Sequence, residues 1–118
     1  MSSFESSVAL QPIGNLVIAP LRGPVTKDLL DELSTTLLDY LHETGARGVI
    51  LDLSGVNLLD DHDLFDLRKV VQSVGLMGAQ IVLAGMRPGV AIGLTMLDVE
   101  DDWIQSARTV DAAMEVLA

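Results

Sequence analysis

The sequence predicts an α/β fold, with one domain built on a mixed β-sheet that has an N-terminal hairpin and about four helices packed on it. Three observations carry this expectation. The runs Gly48–Leu53 and Ala79–Gly85 are almost wholly apolar, which suits strands covered on both faces. Around them apolar residues recur at helical spacing, most clearly at Leu29, Leu30, Leu33, Leu37, Leu38 and Leu41. Gly14-Asn15 separates two further apolar runs as a hairpin turn would. Strands joined through helices to parallel neighbours imply right-handed crossovers.

In chain order, residues 1–7 read as a flexible, Ser-rich lead and residues 8–118 as the domain. Val8, Leu10 and Ile13 begin a strand, and Leu16–Leu21 is its hairpin partner, with Pro20 ending or edging it. Thr26 caps a helix that runs to Gly45. The strand at residues 48–53 comes next, and a second helix starts at Asp60 or Asp61. Its buried stripe is Leu64, Leu67, Val70, Val71, Val74 and Met77, and Gly78 ends it. After the strand at Ala79–Gly85, Pro88 opens a third helix carrying Val90, Ile92, Leu94 and Leu97. Trp103-Ile104 suggests a last short strand, and Val110–Leu117 a terminal helix.

Composition removes several classes of function. At 118 residues the chain suits one compact domain. The hydrophobic fraction is 49%, yet no apolar run reaches membrane-spanning length. A net charge of −10, with no Lys/Arg cluster, repels nucleic acid and anionic membranes. The absence of cysteine excludes a disulfide framework, a thiolate metal site and a cysteine nucleophile. Met1–Ser7 shows no secretory signal, so the expected location is cytoplasmic.

Chemistry concentrates where the strand at 48–53 delivers Asp52 and then Asp60, Asp61 and Asp63 to the start of a helix, a usual functional position in open α/β folds. Three readings compete. Clustered carboxylates can hold a divalent cation, and Asp52, Asp60 and Asp61 would then serve a metal-dependent, receiver-like phosphotransfer protein. Against this, there is no Gly-rich phosphate loop, and no well-placed Lys follows the next strand. Paired carboxylates with His62 could do acid/base work, but few convergent polar groups accompany them. The third reading is a helix cap, with Asp60 or Asp61 capping and the other acids complementing the positive end of the helix. On residue chemistry alone the cap outweighs both sites, so no metal or cofactor is expected. His42, late in the first helix, reads as a surface or dipole residue.

The order of elements and three segments resemble the STAS family of anti-sigma-factor antagonists and stressosome proteins, most closely its short, RsbS-like scaffold members. The segments are His42-Glu43-Thr44-Gly45-Ala46-Arg47-Gly48-Val49-Ile50-Leu51-Asp52-Leu53-Ser54-Gly55-Val56, Leu76-Met77-Gly78-Ala79-Gln80-Ile81-Val82-Leu83-Ala84-Gly85 and Met86-Arg87-Pro88-Gly89-Val90-Ala91. Jointly they are specific, whereas any one alone is weak.

The resemblance implies a non-enzymatic partner-switching scaffold. Its partners would be a switch kinase of the RsbT type, longer STAS-domain stressosome proteins and a phosphatase that resets the system. Self-association into a dimer or larger assembly is expected as well, with symmetric pairing through the N-terminal strands as the default. A simpler anti-sigma-factor antagonist, binding an anti-sigma kinase, is the alternative within the family. The resemblance places a phosphorylated serine, directly after an Asp, at the start of the helix that follows the strand. Here the matching pair is Asp60-Asp61, so Asp61 holds the phosphoacceptor position, either as a natural variant or as a Ser-to-Asp substitution imitating the phosphorylated state. The otherwise continuous flanking match favours the substitution. Asp60, Asp61, His62 and Arg87 form the expected switch surface, in which Arg87 would contact Asp61 or an acidic partner. A solvated loop arginine is the plainer account of Arg87. Trp103 reads as a core or edge-covering aromatic more readily than as a binding anchor.

Overall fold

The computed structural model describes residues 8–96 and 103–118, and within them five strands form one sheet. The elements are β1 (Gln11–Ile13), β2 (Leu16–Arg22), α1 (Lys27–Thr44), β3 (Gly48–Gly55), α2 (Asp61–Leu76), β4 (Gln80–Ala84), α3 (Pro88–Met96), β5 (Ser106–Ala107) and α4 (Val110–Leu117). Spatial order equals chain order, β1-β2-β3-β4-β5. The first pair is antiparallel and the other three are parallel, so the sheet is mixed as the sequence predicts. The expected lead at residues 1–7, and Leu97, lie outside the described residues.

Local sequence accounts for most boundaries. Ile13 pairs with Leu16 across Gly14-Asn15, and Gly14 takes φ +58, a conformation a Cβ would strain. The Thr26 side chain accepts the Leu29 N–H at 3.1 Å to cap α1. Gly45, at φ 69, closes that helix by donating its N–H to the Leu41 carbonyl. β1 is shorter than the expected strand from Val8, and β2 runs through Pro20 to Arg22. Pro20 lies beyond the stretch that β1 pairs, so its missing N–H breaks no ladder bond on that side.

Two expectations need correction. The last strand is Ser106–Ala107 rather than Trp103-Ile104. The apolar pair instead packs as partly buried side chains against the core, while backbone bonds from Leu83 to Gln105 and from Gly85 to Ala107 make the strand. Met77 follows the end of α2 and is 42% exposed, so it leaves the buried stripe.

The sheet is covered unequally. On one face Val17, Ala19, Leu21, Val49, Leu51, Leu53 and Leu83 meet Leu33 and Leu37 of α1, Leu64, Leu67 and Val74 of α2, and Val90 and Leu94 of α3. Each such Val or Leu side chain contributes about 1.5–3 kcal/mol through burial, so this layer dominates the stability. On the other face Ile50, Val82 and Ala84 meet only Ala113 of α4, with partly buried residues around them. β3 is therefore buried on both faces, which explains its unbroken apolar run.

Candidate functional site

The C-terminal end of β3 leads through residues 56–60 to the first turn of α2, so the acidic cluster sits at the edge of the parallel sheet. Asp60 is the N-cap, with extended φ −88 and ψ −179. Its carboxylate accepts the Asp63 N–H at 2.8 Å, and the Asp63 carboxylate accepts the Asp60 N–H at 3.1 Å. This closed pair is a capping box with Asp in place of the usual Glu or Gln. Accepting the Asp63 N–H holds the Asp60 carboxyl below its ordinary value, and neighbouring His62 adds to the effect. Burial pushes the Asp63 carboxyl up, and the adjacent Asp60 charge pushes it further. The reciprocal role of Asp63 escaped the sequence reading, although an Asp three residues after a capping Asp is its signal.

The structure thus separates two neighbours that the sequence left interchangeable. Asp60 does the capping, and Asp61 is the first residue of the helix, exposed, with no side-chain hydrogen bond or ion pair among the described residues. His62, beside it, is exposed as well.

Arg87 does not reach Asp61. Its Nε donates to the Ser54 carbonyl at 3.0 Å, while the Ser54 N–H donates to the Asp52 carboxylate at 3.0 Å. The Asp52 carboxylate is therefore engaged in a local turn of β3. Among the described residues no three His, Asp or Glu side chains converge as metal ligands, so Asp52, Asp60 and Asp61 do not assemble as the phosphotransfer reading requires.

α3 holds the loop before the site from the side. A Cβ on Gly89 would stand 2.7 Å from the Asn57 carbonyl oxygen, and one on Gly93 would stand 3.4 Å from that of Leu59. Only glycine admits so close an approach at position 89. With the loop fixed, Leu59 is buried while Leu58 stands 69% exposed. Phe65, one helical turn after Asp61 on the same face of α2, is 59% exposed, with the Lys69 ammonium 4.6 Å from its ring centre. Both apolar side chains are exposed within four residues of Asp61 along the chain, and neither was expected on the surface. Phe65 could have been found from sequence, because it falls outside the Leu64/Leu67/Val74 stripe.

This arrangement is a capped, acid-marked helix start with exposed apolar side chains close by along the chain. The STAS domain family profile matches residues 7–113. The chain belongs to the STAS family. Among curated relatives, the STAS domain is 23% identical over 126 residues to the RsbT co-antagonist protein RsbRA of Bacillus subtilis, covering 96% of this chain and 46% of RsbRA. It therefore spans under half the length of that relative. Its fold is similar to that of a Ser-to-Glu variant of RsbS from Moorella thermoacetica, with a TM-score of 0.80, 20% identity and coverage of 95% of both chains. A chain from the molecular architecture of the stressosome, described as a signal integration and transduction hub, gives a TM-score of 0.76 at 18% identity, covering 92% of this STAS domain and 95% of that chain. No helix among the described residues is long and apolar enough to cross a membrane.

Proposed function

We propose that this STAS domain is a non-enzymatic, cytoplasmic partner-switching scaffold of a stressosome-like assembly. It docks with other STAS proteins and with a serine/threonine switch kinase of the RsbT type, and position 61 is the regulated site, reset by a phosphatase where it carries a serine. The observation that supports this most is the division of labour between Asp60 and Asp61. Because Asp60 and Asp63 complete the cap, the side chain at 61 has no structural duty, and a change of its charge is presented to a partner instead of to the fold.

Two physical arguments add to it. A phosphate at a helix start meets free N–H groups and the positive end of the dipole, so the modified state costs the fold little. The same phosphate adds a charge of about −1.5 to −2 to a stretch of chain that also exposes Leu58 and Phe65, which repels a surface fitted to a neutral hydroxyl. Asp61 supplies about one negative charge there and acts as a partial imitation of the modified state.

Asp61→Ser, incubated with an RsbT-type kinase and ATP, tests the reading. One phosphate on the introduced serine, and tighter kinase binding by the unmodified variant than by the Asp61 form, are the expected results. No phosphate at that position, or equal kinase affinity of the two forms, overturns it.

A further inference from the structure

A cavity of about 690 Å³ opens at the N-terminal end of the parallel strands, and Asn15, Leu16, Arg47, Gln80, Met114 and Leu117 are among the residues that line it. Backbone bonds fix its frame. The Arg47 N–H donates to the Asn15 carbonyl at 2.9 Å, and the Arg47 carbonyl accepts the Gln80 N–H at 3.0 Å, so one residue ties the hairpin turn to the starts of β3 and β4. Gly48 shapes the apolar side. A Cβ there would stand 2.7 Å from Leu16 Cδ2 and 3.1 Å from Leu117 Cδ1, so its absence lets these two side chains close over the strand. With Met114 they belong to the partly buried apolar side chains of the α4 layer.

The charge of this lining is the reverse of the chain's. The sequence carries 17 acids against 7 Lys and Arg, yet no Asp or Glu side chain lines the cavity, and Arg47 does. Other cations are already engaged: Lys27 pairs with Asp31, Lys69 lies over Phe65, and Arg87 Nε bonds the Ser54 carbonyl. The exposed Arg47 side chain has no hydrogen bond or ion pair among the described residues, and Ala118, which also borders the cavity, does not pair with it.

We infer that this cavity binds an aliphatic carboxylate, its head on the Arg47 guanidinium and its alkyl chain against Leu16, Met114 and Leu117. A guanidinium presents a planar fork of N–H donors that matches a carboxylate. The Asn15 and Gln80 side chains are amides, which can donate beside it without adding charge. The volume lies within the roughly 300–1,000 Å³ of small-molecule sites, and apolar walls with a few polar groups are their usual make-up. A cationic amphiphile meets Arg47 as a like charge, and a small acid without an alkyl chain leaves the apolar wall unused. A polyanion is opposed by the net charge of −10, whereas a single carboxylate needs one cation. Because Arg47 is exposed, the ion pair stays hydrated and the affinity is modest, with a Kd on the order of 1 mM for octanoate.

Titration of octanoate into the full chain, followed by backbone amide NMR shifts, tests the inference. Saturable shifts at Asn15, Arg47, Gly48, Gln80 and Leu117 are the expected result. Arg47→Gln weakens binding about tenfold, and Met114→Gln weakens it as well. Octylammonium and acetate do not saturate these shifts below about 10 mM. Arg47→Gln alters an exposed side chain and leaves the backbone bonds of residue 47 in place, so unchanged shifts elsewhere report an intact fold. Absence of saturable shifts, equal affinity of Arg47→Gln, equal binding of octylammonium, or shifts confined to the surroundings of Leu58 and Phe65 overturns it. Asp61 follows the opposite end of β3 and takes no part in these outcomes, so failure here leaves the proposed function standing.

Discussion

Asp60 and Asp63 bond each other's backbone N–H, yet their carboxyls shift in opposite directions, Asp60 down and Asp63 up. The stability that Asp60 contributes is present above the ordinary Asp value of about 3.9 and is lost as pH falls through its lowered value. Asp63 has the opposite sign: its contribution is present below about 3.9 and is lost as pH rises through its raised value. Asp63→Asn keeps an oxygen to accept the Asp60 N–H and removes the disfavoured charge. Urea unfolding across the acid range should show it gaining stability, relative to the parent, as pH rises towards neutrality.

Capping and signalling separate by single substitutions. Asp60→Ala removes the acceptor for the Asp63 N–H and lowers Tm by about 3–5 °C, while Asp60→Ser, whose hydroxyl still accepts it, avoids most of that loss. Asp61→Ala, by contrast, changes Tm by less than about 1 °C, because no described bond depends on it. A calorimetric scan of the three variants checks this ordering.

The contact between α3 and the loop is sensitive to one methyl group. Gly89→Ala drives a Cβ against the Asn57 carbonyl, which is backbone and yields little, so it destabilises by about 1–3 kcal/mol. Gly75→Ala meets open space and gains about 0.5 kcal/mol from helix propensity. Urea midpoints of the pair should move in opposite directions.

Phe65 and Leu67 stand two residues apart on α2 with opposite roles. Leu67 is 1% exposed, and Leu67→Ala costs about 2–5 kcal/mol. Phe65→Ala, at 59% exposure, costs about 0.5 kcal/mol or less, including its contact with Lys69. On the proposed function, Phe65→Ala weakens kinase binding at full stability, which titration calorimetry of a folded variant measures.

α4 is the thinnest layer, with Ala113 its fully buried residue and one face of the sheet as its support. Its amides should exchange with solvent well before those of β3 and β4, because local opening of so small a contact area needs only part of the global unfolding energy. Native-state hydrogen exchange followed by peptide mass reads this difference.

What the sequence made legible follows from how each element is encoded. Helix α1, with Thr26 before it and Gly45 after it, carries its periodicity and both stops in its own residues, so its limits were readable. β3 announced itself because burial on both faces demands an apolar residue at every position. β5 was misplaced because its two residues are specified by backbone bonds to β4, while the neighbouring Trp103 and Ile104 serve the core. At the site, the acidic cluster was legible but its internal order was not. Whether Asp60 or Asp61 caps depends on where the loop releases the chain, and that is set from outside by Gly89 and Gly93. The Arg87 contact depends on the same remote packing.

The agreement between spatial and chain order has a consequence for how the molecule comes into being. Each new strand pairs with the one just made, and no strand has to be inserted between two already placed. Assembly can proceed by accretion from the hairpin outward, keeping pace with a ribosome that delivers the N-terminal residues first. Every intermediate on that route presents one growing edge, and the β5 segment covers the last of them only after the other four strands are in place.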